Sequence, residues 1–272
     1  MPSPDVITPA LLARRVGAPH SPIMMDVRTP EDFAAHPRAL PSARRPSHGE
    51  VGDWAESFRG GPAVVVICHK GLKLTQGVAA WLRHHGATAE TLEGRFLGPA
   101  EAGLPLVSLT HVPPRDGQGR TLWVTRARPK VDRIACPPPP PWLIRHFVDP
   151  TAVFLFVAPS EVAAVAERFG ATQFDIDCVF WSHRGPLCTF DVMIEEFTLR
   201  MPALHHLACL VCGADRADVS LAPEAAGLLG LSRMYRDDLA QLEPGITLYD
   251  AIFRWRRDAA QESHNWPTGR AA

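Results

Sequence analysis

No charge of one sign dominates this chain. Lys and Arg number 28 against 29 Asp and Glu, so the net charge is −1 and the pI about 6.9. That balance argues against a basic field that would hold nucleic acid, and direct DNA or RNA contact is not expected. Long hydrophobic runs are also missing. No stretch approaches the roughly 18 apolar residues that a membrane helix needs. No charged start followed by an apolar run marks a secretory leader. The expectation is a cytoplasmic protein without a membrane partner. Cysteine is sparse, six residues at irregular spacing, which favours reduced thiols over a disulfide framework. No internal repeat is visible. Apolar residues are plentiful at 46%, and 272 residues leave room for two domains, each with a core. Proline is plentiful too, at 27 residues.

Residues 1–108 alternate strand and helix signals. Thr8 is placed to cap a helix carrying Leu11, Leu12 and Val16. Ile23 to Val27 reads as a short strand, and Glu31 to Ala35 begins a helix. Val64 to Ile67 is β-branched and wholly apolar, as a buried parallel strand is. Val78 to His85 reads as a helix closed by Gly86, with Val78, Ala79, Trp81 and Leu82 on its inner side. Such alternation predicts an α/β fold, a parallel sheet with helices on both faces. Ligands in these sheets bind at the carboxyl ends of the strands.

Cys68 stands at such an end. It closes the strand in the run Val64-Val65-Val66-Ile67-Cys68-His69-Lys70-Gly71-Leu72-Lys73 and precedes a helix. Backbone N–H groups and the positive helix end converge there, a setting that activates a thiol and cradles an anion.

These residues resemble the active loop of rhodanese-family sulfurtransferases, in which four residues separate the cysteine from a basic residue, usually arginine. Here the basic residue is Lys73. Upstream, Asp26-Val27-Arg28, with Glu31 and Phe33, resembles the family's other signature. Downstream, Thr91-Leu92-Glu93-Gly94-Arg95 resembles its last strand and glycine turn. The resemblance spans about residues 5–105. It implies a persulfide-forming Cys68, with His69, Lys70, Gly71, Leu72 and Lys73 binding a thiosulfate-like donor and a thiol accepting the sulfur. Asp26 and Arg28 would form an ion pair that supports the loop. The competing reading is an inactive fold kept as a binding module, in a chain that acts as a chromate or redox sensor or regulator without turnover. Phosphatase relatives have a loop one residue longer ending in arginine, and position 74 here is Leu.

Residues 109–120, with Pro113, Pro114, Asp116, Gly117 and Gly119, read as a linker or exposed turn. From 121 to 272 an α+β domain is expected, ending in a helical half. Its strands are expected at Thr121 to Thr125, Val153 to Val157 and Cys188 to Phe190. Ser160 is placed to cap a helix ending at Gly170. Further helices are expected near 191–199, 203–213, 222–234 and 237–258. The proline run Pro137 to Pro141 reads as extended polyproline II.

This half has a resemblance of its own. Trp123-Val124-Thr125-Arg126-Ala127-Arg128-Pro129-Lys130-Val131-Asp132-Arg133 resembles the C-terminal domain of the ChrB chromate-resistance proteins. Trp142-Leu143-Ile144-Arg145, His183-Arg184-Gly185, Thr189-Phe190-Asp191 and His264-Asn265-Trp266-Pro267 continue it, through about residue 267. That family usually passes directly from Cys-Pro to Trp-Leu-Ile, whereas extra prolines intervene here. Its regulators carry a DNA-binding region where this chain has its rhodanese-like part. The resemblance implies a link to chromate or oxyanion resistance, with chromate as a candidate ligand.

Polar residues cluster beside the apolar segments of this half: Asp132, Arg133, Cys136, Arg145, His183, Asp191, Glu195 and His264. His183, Asp191 and Glu195 are candidates for a divalent metal, Asp191 and Glu195 sharing one helical face, and would then centre a metal-dependent redox or detoxifying enzyme. Two alternatives stand beside this: buried hydrogen-bonded residues, or an oxyanion pocket with Arg126, Arg128, Lys130 and Arg145. His205, Cys209 and Cys212 share one helical stripe and read either as soft metal ligands or as small buried side chains. The alternating charges Arg233, Arg236, Asp237, Asp238, Arg254, Arg256, Arg257 and Asp258 read as a solvated face. Trp142, Trp255 and Trp266 are expected in the second core.

Overall fold

The computed structural model describes residues 5–127, 139–215, 220, 222, 224–232 and 234–259. Asp132, Arg133, Cys136 and His264 lie outside the described residues, as do Arg128, Lys130, Arg233 and Trp266.

The first half runs β1 (Val6–Ile7), α1 (Pro9–Arg15), β2 (Ile23–Asp26), α2 (Pro30–Ala35), β3 (Arg38–Ala39), α3 (Val51–Trp54), β4 (Val64–Ile67), α4 (Lys73–His84), β5 (Ala89–Leu92), α5 (Gly98–Glu101) and β6 (Val107–Ser108). Two helix starts share one device. Thr8 and Thr29 each accept a backbone N–H, from Leu11 and Asp32 at 3.2 Å, and each precedes a proline. Proline suits that first position, because its missing N–H has no intrahelical partner there.

β1, β5, β4 and β2 form a parallel sheet in that order, and β3 pairs antiparallel with β6. Alternation along β4 feeds two cores. Val64 and Val66 pack with Val78, Ala79 and Leu82 of α4, whereas Val65 and Ile67 enter a larger core with Leu12 and Phe96. Trp81, expected on the inner face of α4, is 44% exposed. The buried stripe is narrower than the apolar pattern, and the indole lies over the surface beside His84 and His85.

The second half runs β7 (Leu122–Arg126), α6 (Pro139–Leu143), β8 (Val153–Val157), α7 (Val162–Phe169), β9 (Thr172–Gln173), α8 (Thr189–Glu196), α9 (Pro202–Asp215), α10 (Ala225–Ser232) and α11 (Asp238–Arg254). β8, β7 and β9 form a parallel sheet with β7 central. Trp123 faces the large core, and Val124 meets Val162 and Ala166 of α7.

The strand expected at Cys188 to Phe190 is the start of α8, and the third strand is β9. Cys188 is the N-cap, and its N–H donates to the Asp191 carboxylate at 3.1 Å. This closure of the first turn outweighs the strand preference of three residues. Ser160 does not cap α7; it sits in a 3₁₀ turn, Pro159–Glu161, and Glu161 holds the cap position. Gly170 ends α7 at φ +62°, in the left-handed region. Of the proline run, Pro137 and Pro138 lie outside the described residues, and Pro139 to Pro141 are helical rather than extended, since they fill the first turn of α6. Trp142 is fully buried, but Trp255 is 43% exposed.

The large core does not stop at the 109–120 turn. It joins Leu12, Val16 and Met24 to Trp142, Phe147 and Phe253. Hydrogen bonds cross as well. The Ser42 N–H donates to the Phe147 carbonyl at 2.8 Å, and the Arg257 guanidinium donates to the carbonyls of Val16 and Arg14 at 2.5 and 2.6 Å. Gly17, at φ +69°, lets this approach happen: a Cβ there would lie 2.7 Å from the Phe253 ring.

Asp149 anchors the second sheet. Its carboxylate is buried and accepts from the Thr121 N–H at 2.6 Å, the Thr121 hydroxyl at 2.9 Å and the Thr151 hydroxyl at 2.7 Å, with Arg115 at 3.1 Å. Burial opposes ionisation, but these donors outweigh it and hold the carboxyl below its ordinary range.

Candidate functional site

Cys68 follows β4 directly and is buried, with 7% exposure. Five residues later α4 begins with no acidic side chain in its first turn and no side-chain cap on Leu72. Its first N–H groups are therefore not matched by a carboxylate of that turn. Lys70 and Lys73 are exposed at this positive helix end, where a cation is unfavourable unless an anion joins it. The Leu72 side chain is 59% exposed. Gly71 turns the loop at φ +64° and comes so near Gly94 that a Cβ would lie 1.7 Å from the Gly94 carbonyl oxygen. The Phe96 N–H donates to the His69 carbonyl at 3.1 Å. His69 stacks on His36 with centroids 5.9 Å apart, and its buried Nδ1 has no partner among the described residues.

Asp26 and Arg28 form a buried pair behind this loop. The guanidinium donates to Asp26 through Nε at 2.8 Å and Nη2 at 2.5 Å, and to the carbonyls of His36 and Arg38 at 3.0 and 2.7 Å. It also lies 3.6 Å from the centroid of the Phe96 ring. The same arginine thus ties the end of β2 to the 36–38 segment and to the residue that holds His69.

In the second half the structure regroups the expected residues. His183 Nε2 lies 3.5 Å from Asp175 and 3.9 Å from Asp215. Asp191 turns back to its own N-cap, and Glu195 is exposed. His183, Asp191 and Glu195 therefore do not form the expected metal-binding trio. As the third residue of α8, Asp191 serves its first turn, so the shared helical face does not bring it to Glu195. Arg126 lines a cavity of about 40 Å³ together with Thr125, Asp175, His183, Cys188 and Asp215. Arg145 is elsewhere, paired with Glu243 at 2.6 Å. The stripe expected from His205, Cys209 and Cys212 divides: His205 and Cys209 are exposed, and Cys212 turns inward.

Cys212 meets Cys188 instead. Their sulfurs are 3.1 Å apart, and Asp191 Oδ2 lies 3.1 Å from Cys188 Sγ and 3.0 Å from Cys212 Sγ. The Cys212 hydrogen bond, burial and the Asp191 charge push the Cys188 thiol far above the usual cysteine range. Cys188, Cys212, Asp175, Asp215 and Thr125 were not legible as one group, since their spacing matches no recognised ligand pattern. A second, larger groove of about 630 Å³ is lined by residues of both halves, including Arg44, Trp54, Phe58, Arg115 and Phe147.

Residues 123–256 match the family described as ChrB, C-terminal domain. Protein ChrB of Cupriavidus metallidurans is 38% identical over 104 residues, which is 38% of this chain and 29% of that protein. The chain thus spans under a third of that curated relative's length. Several solved structures similar to the N-terminal part carry rhodanese or sulfurtransferase names. A rhodanese-like domain protein from Staphylococcus aureus is 24% identical, covering 37% of this chain and 95% of its own, with a TM-score of 0.32. A single-domain sulfurtransferase from Saccharomyces cerevisiae is 14% identical, covering 37% and 92%, with a TM-score of 0.30. No described helix is long and apolar enough to cross a membrane.

Proposed function

We propose that the N-terminal half is a sulfurtransferase carrying sulfur as a persulfide on Cys68, in a cytoplasmic chain whose ChrB-type domain links it to chromate or a related oxyanion. The observation that carries this reading is the position of Cys68. It is buried at the end of a parallel strand, and the tight loop that follows it leads into a helix start without an acid. Those amides suit an anionic sulfur donor, and Lys70 and Lys73 add charge at the loop rim.

The chemistry has two displacements. The Cys68 thiolate attacks the outer sulfur of a thiosulfate-like donor. The donor's S–S bond breaks, and sulfite leaves with the bonding electron pair. An acceptor thiolate or cyanide then attacks the outer persulfide sulfur, and the Cys68 thiolate is the leaving group. Each step replaces one bond to sulfur by another, so no external oxidant is needed. Lysine at position 73 provides a point charge without the bidentate fork of arginine, which favours weaker or altered donor selection.

The test is thiosulfate-dependent sulfur transfer to cyanide, with intact-mass detection of one added sulfur atom. The Cys68→Ala variant is expected to lose both signals; unchanged turnover in that variant sinks the reading. A second reading is a sensor without turnover, in which an anion or oxidant at Cys68 alters the second half. The core that runs through both halves favours it. Tight anion binding without persulfide from any of several donors would select this second reading.

A further inference from the structure

We infer that Cys188, Asp191 and Cys212 form a binding site for one zinc-type divalent cation. This site differs from the trio of His183, Asp191 and Glu195 that the sequence suggested, and it stands apart from the Cys68 loop.

Three donor atoms from two helices converge. Cys188 is the N-cap of α8, Asp191 lies in its first turn, and Cys212 comes from α9. The three pairwise distances are 3.0–3.1 Å. A tetrahedral zinc with ordinary Zn–S and Zn–O bonds sets its ligand atoms roughly 3.6–3.8 Å apart. The triangle must therefore open by only about 0.6 Å, within the reach of side-chain rotation. The donor set decides the class of ion. Two thiols and one carboxylate favour zinc and its neighbours over magnesium or calcium, which prefer all-oxygen shells.

A fourth ligand has a source as well. Cys188 also lines the 40 Å³ cavity, which is large enough for ordered water. Thr125 borders the same cavity, is 5% exposed, and its buried Oγ1 has no partner among the described residues. A hydroxyl in that state fits beside a metal-bound water that would accept or donate a hydrogen bond. Asp175, His183 and Asp215 line the same space and would orient that water. Three protein ligands and an open fourth position are the arrangement of reactive rather than purely structural zinc sites. Binding would displace both thiol protons to solvent.

The experiment uses the full chain carrying Cys68→Ala, so that the first site cannot contribute and the outcome does not depend on sulfur transfer. Protein stripped with chelator under reducing conditions is titrated with Co²⁺ alone, and Zn²⁺ affinity is then measured by competition. One equivalent of Co²⁺ with a thiolate-to-cobalt charge-transfer band is expected, accompanied by proton release. Cys212→Ser and Asp191→Asn should weaken binding by at least about 100-fold, because they remove direct ligands. Cys209→Ser, on the exposed side of α9, should bind as the parent does. In the unsubstituted chain, zinc should shield Cys188 and Cys212 from alkylation while leaving Cys209 reactive, a readout that survives any misfolding of the variants. Absence of the charge-transfer band overturns the inference. So does equal binding by Cys212→Ser and Cys209→Ser. A Cys188–Cys212 disulfide that forms equally fast with and without zinc overturns it too.

Discussion

Replacing Gly71 by alanine tests how the thiol loop is held. Two costs can be worked from the structure. Gly71 has φ +64°, where a Cβ costs about 1–2 kcal/mol. The new Cβ would also lie 1.7 Å from the Gly94 carbonyl oxygen, and backbone on both sides leaves no flexible side chain to yield. The loop and the Gly94 turn must separate by roughly 1.5 Å to restore contact distance, and crowding of that kind costs about 1–3 kcal/mol. The sum is about 2–5 kcal/mol. Part of it can be relieved by moving the loop, but that shifts the loop amides relative to Cys68. A displacement near 1 Å costs on the order of 100-fold in rate. Gly71→Ala should therefore lower the thermal midpoint by roughly 4–20 °C or lower persulfide turnover about 100-fold, with the two losses trading against each other. Gly77→Ala is the contrast. Gly77 lies inside α4 with nothing within 4 Å of its would-be Cβ, so alanine there should stabilise by about 0.5–1 kcal/mol. Circular-dichroism melting and cyanide-coupled transfer on both variants decide the matter. If Gly71→Ala melts and turns over like the parent, the close approach to Gly94 is refuted.

Other consequences are equally direct. The Asp149 carboxyl is held below its ordinary range, so its stabilisation is fully present above the unfolded carboxylate pKa and is lost as pH falls through the lower folded value. Asp149→Asn should cost about 3 kcal/mol at neutral pH and flatten the acid limb of the stability curve; urea titrations from neutral to acidic pH giving parallel curves would contradict this. Arg28→Lys keeps the charge but loses the fork on Asp26 and the bonds to His36 and Arg38. It should destabilise by about 2–4 kcal/mol, and a double-mutant cycle with Asp26→Ala should show strong non-additivity. Gly17→Ala pushes a Cβ to 2.7 Å from Phe253 and should cost about 2 kcal/mol. Relief of that cost by Phe253→Leu would tie the two halves together in solution; strict additivity would deny the contact.

What was readable in the sequence was local. Thr8-Pro9 and Thr29-Pro30 announce helix starts because the cap and its first turn are adjacent in the chain. The apolar run Val64 to Ile67 announces a strand buried on both sides. What escaped depends on choices the chain makes between competing local rules or between distant segments. Cys188, Thr189 and Phe190 have strand character, but Asp191 closes a helical turn on the Cys188 N–H. The prolines read as extended until their missing N–H groups fall where a helix start has no use for them. On α9, apolar residues surround the axis, so sequence spacing could not tell that Cys212 turns in and Cys209 out.

The division into two halves follows the sequence better than it follows the packing. Val65 and Ile67 of β4 face a core that also contains Trp142 and Phe253, while Val64, Val66 and Cys68 face the smaller core under α4. The Cys68 side chain thus lies on the sheet face turned away from the shared core. The loop's link to the second half runs through Phe96, which belongs to the shared core, stacks under Arg28 and holds the His69 carbonyl. The residue that fixes the loop is thus itself seated in the core that the two halves share.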